Sequence, residues 1–137
     1  MVRVNSFQSP NFKLDIKHAM IDNVDAILIP KVNSSEIITK VSNIVIKLEK
    51  ERGLNDKSTL LIPMIESAQG IVSLNEISKS SDRVFALAFG SGDYALDMGL
   101  RWTKEAVGHM FPRMLIPVIA KANGLHSIDS VFMDLDN

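Results

Sequence analysis

The chain contains no cysteine, which excludes disulfides, thiolate metal sites and a cysteine nucleophile. Aromatic residues are scarce at 6%, with one tryptophan and one tyrosine. Trp102 and Tyr94 are read as packing residues rather than stacking platforms. Neither sign of charge dominates: 15 basic and 16 acidic residues are interspersed, and the formal net charge is −1. No basic stripe or tail of the kind that binds nucleic acid or an anionic membrane is expected. Long apolar runs are also missing. Stretches such as residues 84–89 fall far short of the roughly 20 residues of a membrane helix. The opening Met1-Val-Arg-Val-Asn5 enters a strand-like pattern at once, so no signal peptide is expected and the cytoplasm is the default location.

What is present is the profile of a soluble globular protein, with 46% hydrophobic and 23% charged residues in 137, enough for one domain with its own core. Short β-branched runs alternate with longer helical stretches. Residues 2–5 predict a strand, and a helix follows within 10–21. Residues 26–29 predict a second, buried strand closed by Pro30. Asn33 is placed as an N-cap with Glu36 at the capping-box position. The helix it opens carries Ile37, Val41, Ile44, Val45 and Leu48 on one face, and Gly53 stops it. Residues 60–66 predict a third strand in which Pro63 calls for a local irregularity. A short helix is expected over 71–79. Residues 84–89, apolar throughout, predict a fourth strand covered on both faces, followed by a turn at Gly90-Ser91-Gly92. Residues 104–122 read as helical but interrupted by Pro112 and Pro117. A fifth strand is expected over 130–133, ending at Asp134.

This alternation implies right-handed βαβ units and a parallel sheet. The pattern alone leaves open an open doubly wound sheet or part of a (β/α)₈ barrel, which takes about 250 residues when complete.

In parallel α/β folds the functional groups sit at the carboxyl ends of strands. Glu66 ends the third expected strand and Asp93 follows the fourth. They lie one βα unit apart, so on neighbouring strands about 4.8 Å apart they would converge on one cation. Two carboxylates with room for water and substrate suit Mg²⁺, or Mn²⁺, better than zinc. The alternative is that each acid merely caps the helix after it, as Asp93 would for residues 94–98. Arg3 inside a strand is costly unless it faces a polar mouth, where its fork would suit a carboxylate or phosphate. Lys31 is a second candidate anion ligand, or simply a solvated residue closing a strand. Gly90-Ser-Gly-Asp-Tyr-Ala95 formally matches a dinucleotide fingerprint. Gly99, however, breaks the helix it should open, and no acidic residue closes a following strand at the right distance. His18, His109 and His126 share no ligand spacing.

The motifs Val2-Arg-Val-Asn5, Ile29-Pro-Lys-Val32, Pro63-Met-Ile-Glu-Ser-Ala68 and Phe89-Gly-Ser-Gly-Asp-Tyr94 occur in order. Met98-Gly-Leu-Arg101, Ala122-Asn-Gly-Leu125 and Ile128-Asp-Ser-Val-Phe132 continue the set. Together they resemble the HpcH/HpaI aldolase and citrate lyase β-subunit family, in its acyl-CoA lyase branch. The resemblance implies a TIM barrel that binds Mg²⁺. Its chemistry cleaves or forms the bond between an acetyl-CoA-type enolate and a 2-oxo acid. By resemblance, Glu66 and Asp93 stand at metal-ligand positions, with Glu66 also beside the substrate. Arg3 stands where the oxo-acid carboxylate is gripped, near the CoA phosphates. Gly90, Ser91 and Gly92 would line the oxo-acid pocket. Arg3, Glu66 and Asp93 are thus the expected catalytic set. One departure is Gly92, where the family usually carries an acid. The resemblance further implies a single partial barrel domain over 1–137 of about five βα units, equivalent to strands three to seven, with two sheet edges open. The expected partners are an acyl-CoA thioester or 2-oxo acid, and further copies of the chain in a full-length homo-oligomer. A CoA-independent pyruvate-type aldolase and a non-catalytic remnant remain alternatives.

Overall fold

The computed structural model describes residues 1–21, 24–101, 103 and 105–131. Strands β1 (Val2–Arg3), β2 (Ala26–Ile29), β3 (Leu60–Ile65), β4 (Ala86–Phe89) and β5 (His126–Ile128) form one five-stranded sheet. All four pairings are parallel and the strand order is sequential. An open doubly wound sheet reverses its order at a switch point; these strands do not. Right-handed crossovers that all lead the same way gather the helices on one face.

The side chains divide accordingly, with the period of two that strands impose. Ile27, Ile29, Leu61, Ile65, Leu87 and Phe89 pack with helical residues such as Phe12, Ile16, Val41, Val45, Ile77 and Ile116. The opposite face is a separate cluster of strand residues alone: Ala26, Leu28, Ile62, Ala86 and Ala88, joined by Leu60 and Met64. The strand ends are thus held by a core on each face.

The connecting helices are α1 (Phe12–Ala19), α2 (Ser35–Arg52), α3 (Ala68–Val72), α4 (Leu74–Ser78), α5 (Ser91–Asp97) and α6 (Met110–Ala122), the last preceded by a 3₁₀ turn at Val107–His109. α2 ends as expected, with Gly53 at φ +66°, a conformation that glycine reaches without steric cost. Its start needs a correction. Ser34, not Asn33, is the extended residue before the helix, and it makes no side-chain cap bond. Glu36 turns one helical turn onward to Lys40, at 2.7 Å, instead of back to a cap.

Four further expectations are revised. The single helix over 71–79 is two short ones that begin three residues earlier, because the Ser67 hydroxyl accepts the Gly70 N–H and opens α3; the break falls at Ser73. Phe85 is 43% exposed, so residues 84–89 are not covered throughout. α6 runs through both prolines: Pro112 lies in its first turn, where no N–H is needed, and Pro117 lies inside the helix. β5 sits at His126–Ile128 rather than 130–133, because α6 ends at Ala122 and Gly124 (φ +72°) turns the chain straight into pairing with β4. Ser130 and Val131 lie beyond that strand. Residues 132–134, Asp134 included, lie outside the described residues, as does Trp102.

The irregularity expected at Pro63 is present as a register shift. Between the Leu61–Val84 bridge and the Met64–Ala88 pair, β3 contributes Ile62 and Pro63 while its partner contributes Phe85, Ala86 and Leu87. Among the described residues, no helix is long and apolar enough to cross a membrane.

Candidate functional site

Glu66 is the residue after β3 and is buried, 6% exposed. Its carboxylate is built in from two sides. Oε1 accepts the backbone N–H of Lys31 at 2.7 Å. Oε2 lies against Gly90, the residue after β4, where a Cβ would stand 2.9 Å from Glu66 Cβ and nearer still to Oε2. Only a residue without a side chain leaves that space. The Gly90 N–H continues the ladder onto Ile65 O at 2.9 Å, so the close approach follows from strand pairing.

Lys31, two residues past β2, has φ +57°, an uncommon conformation for a residue with a Cβ. The turn aims its N–H at Glu66, and Val32 then returns its own N–H to Met64 O at 3.2 Å. The Lys31 ammonium reaches Asp93 Oδ1 at 3.4 Å. Asp93 lies in the first turn of α5 rather than at its N-cap, which is Gly90. Gly90 and Ser91 are not a free turn, as the sequence suggested: Gly90 immediately precedes α5 and buried Ser91 is its first residue. Arg3 ends β1 with its side chain exposed, near enough to Glu66 for the guanidinium to favour the ionised carboxylate. Arg3, Glu66 and Asp93 thus come to one edge of the sheet, at the carboxyl ends of β1, β3 and β4. Gly92 is exposed, and a Cβ built on it meets nothing within 4 Å, so the site has space for the side chain it lacks there.

The electrostatics follow from this placement. Burial pushes the Glu66 carboxyl above the usual carboxylate range; the N–H of Lys31 opposes that, and the negative charge of Asp93 adds to it. The Lys31 ammonium and Arg3 pull the other way, more weakly. A buried acid beside a second acid gains from a shared cation.

Two features test whether a divalent cation fits. The donors are two carboxylates with no nitrogen or sulfur ligand, a hard-oxygen pair suited to Mg²⁺ with its remaining positions left for water or substrate. An ammonium already sits on one of them as a stand-in cation. Among the described residues, no group of three or more His, Asp or Glu side chains forms a full cage, which an ion that keeps its waters does not require. The residues present therefore fit Mg²⁺ or Mn²⁺.

Sequence reasoning missed two contributors. The Asp97 carboxylate accepts the Ala68 N–H at 2.8 Å, tying α5 to the loop that carries Glu66. The backbone of Lys31 was not foreseen as the donor to Glu66; its place directly after a strand-closing Pro30 was the available signal. Tyr94 and His109 are buried beside Phe89, their rings set edge-on or tilted to it with centroids 5.4 and 6.2 Å away. His18 is exposed on α1, and His126 lies in β5 with its ring 4.6 Å from Phe85.

Known proteins resemble the whole chain. The sequence profile of the HpcH/HpaI aldolase/citrate lyase family matches residues 1–137. Citrate lyase subunit beta of Leuconostoc mesenteroides subsp. cremoris is 31% identical over 137 residues, covering 100% of this chain and 45% of that protein. L-malyl-CoA/beta-methylmalyl-CoA lyase of Rhodobacter capsulatus is 32% identical over 105 residues, 74% of this chain and 33% of the relative. The chain therefore spans less than half the length of these relatives. In fold, protein CitE from Mycobacterium tuberculosis, crystallised with magnesium and acetoacetate, superposes with a TM-score of 0.78 at 19% identity over 98% of this chain and 52% of that one.

Proposed function

The chain belongs to the HpcH/HpaI aldolase/citrate lyase family, and from that premise we propose that it supplies the metal-binding part of a Mg²⁺-dependent carbon–carbon lyase. The substrate is a 3-hydroxy-acyl-CoA thioester of the citryl-, malyl- or citramalyl-CoA class, split into an acyl-CoA and a 2-oxo acid. The five sequential strands correspond to strands three to seven of a parallel barrel.

One observation carries the reading: Glu66 and Asp93 are linked through Lys31 at the carboxyl ends of adjacent strands, with Gly90 leaving the space that Glu66 occupies. Two relatives named as citrate and malyl-CoA lyases and a structural neighbour holding magnesium with a 3-oxo acid support the same chemistry.

Glu66 and Asp93 would hold the cation. When bound, the ion supplies Lewis-acid polarisation of the oxo-acid carbonyl. Arg3, exposed at the strand edge, neutralises the substrate carboxylate through its guanidinium fork. The backbone of Gly90, Ser91 and Gly92 lines the oxo-acid side. Cleavage would release a thioester enolate, whose developing negative charge needs electrostatic stabilisation at the site.

The experiment is Mg²⁺-dependent cleavage of citryl-, malyl- and citramalyl-CoA by the full chain and by a protein carrying it in the context of its relatives' length. Release of 2-oxo acid in the longer protein that stops with EDTA is the expected result. No cleavage of any of the three in either form would remove the lyase reading. Cleavage of a free hydroxy-oxo acid unaffected by competing CoA esters would replace it with a CoA-independent aldolase.

A further inference from the structure

Lys31 stands in a conformation that a lysine does not favour. At φ +57°, a residue with a Cβ is strained by about 1–2 kcal/mol, whereas glycine is not. The turn needs only an N–H directed at Glu66, which glycine would provide. The strain is therefore carried for the side chain, and the side chain goes to Asp93. One residue touches both carboxylates, holding Glu66 by its backbone and Asp93 by its ammonium.

We infer that Lys31 is a resident counter-cation: its ammonium occupies Asp93 when no metal is bound, and a divalent ion entering between Glu66 and Asp93 displaces it. The inference rests on the metal-pair reading of the two acids. Magnitudes decide which cation wins. The pair is half-exposed, with side-chain accessibilities of 58% and 45% for Lys31 and Asp93. Such an ion pair is weak, and a doubly charged ion facing two carboxylates outcompetes a singly charged group facing one. Without the metal, the ammonium keeps Asp93 from facing a neighbouring buried acid uncompensated. With the metal bound, its repulsion lowers affinity. Lys31 is therefore a positioning residue that sets how tightly the ion is held.

Mn²⁺ titration of the full chain, by calorimetry and by the electron-spin signal of free Mn²⁺, separates the outcomes. Lys31→Gly keeps the turn and the N–H but removes the ammonium, and its affinity for Mn²⁺ should rise about 2- to 10-fold. Lys31→Arg, which restores a cation, should return affinity to within about 2-fold of the parent. A parallel melting curve shows that each variant folds. Equal affinity of Lys31→Gly and the parent overturns the counter-cation role, as does a loss of affinity in a folded Lys31→Gly. If parent, Lys31→Gly and Asp93→Asn all bind Mn²⁺ alike, or none binds, the metal-pair reading itself fails and this one with it.

Discussion

Glu66 is held where its charge is disfavoured by burial and favoured by its partners. That balance depends on Gly90 having no side chain. Gly90→Ala places a Cβ inside the Glu66 carboxylate's space, so the carboxylate must move; we expect Mg²⁺ affinity to fall about tenfold or more. Gly92→Ala is the control, because its Cβ meets nothing within 4 Å and affinity should hold. Calorimetry on both variants checks the contrast, and equal behaviour would contradict the placement of Glu66. The placement of Glu66 and Asp93 after β3 and β4 was legible because parallel sheets carry functional groups at the carboxyl ends of their strands, whereas Arg3, expected inside a strand over 2–5, ends β1 instead. The Gly90 contact and the left-handed turn at Lys31 were not legible. The Gly90 contact joins two different βα units, which no local pattern encodes, and the Lys31 turn had only its place after Pro30 as a signal.

The amino ends of β3 and β4 are secured by a different ion pair. Arg83 and Glu49 are 1% and 2% exposed, with N–O distances of 2.6 and 2.8 Å, and Arg83 also reaches Asp56 at 3.1 Å. The Thr59 N–H donates to the same carboxylate at 3.1 Å. Removing one partner leaves a buried charge uncompensated, so Arg83→Met should cost about 3–5 kcal/mol in urea unfolding. A loss under 1 kcal/mol would contradict the account. Burial works against the Glu49 charge, but the hydrogen bonds from Arg83 and Thr59 hold its carboxyl below the usual range. A depressed carboxyl contributes stability that is present above its unfolded value, about 4.3, and lost as pH falls through the folded value. Urea midpoints should therefore drop below about pH 4, with a shallower drop in Glu49→Gln. α2 shows what is readable at this scale. Its apolar spacing and its stop at Gly53 were plain in the sequence, whereas the start moved by one residue, to an extended Ser34 that makes no side-chain cap bond. β5 was misplaced for a physical reason too: all three of its residues are exposed, so no buried alternation marks it.

At the scale of the whole molecule, the alternation of strands and helices disclosed a parallel α/β fold. It did not choose between sheet types; the structure adds that the five strands pair in sequence order, without the reversal of a doubly wound sheet. An ion held between the loops after β3 and β4 binds only where both strands are in register, so it should stabilise the fold as a unit. At a Mg²⁺ concentration 100 times its dissociation constant, linkage adds about 2.7 kcal/mol, which for a chain of this size is a rise of roughly 10 °C in Tm. Circular-dichroism melts with Mg²⁺ and with EDTA measure it, and superimposable curves would contradict binding to the folded chain.

The claim that Glu66 and Asp93 together hold a divalent metal is tested most directly by titrating Mn²⁺ into the parent chain, Glu66→Gln and Asp93→Asn, each shown to be folded by its melt. One site is expected in the parent and at least a tenfold loss of affinity in each variant, comparable to the loss for a removed ligand partner. Undiminished affinity in either folded variant would contradict it.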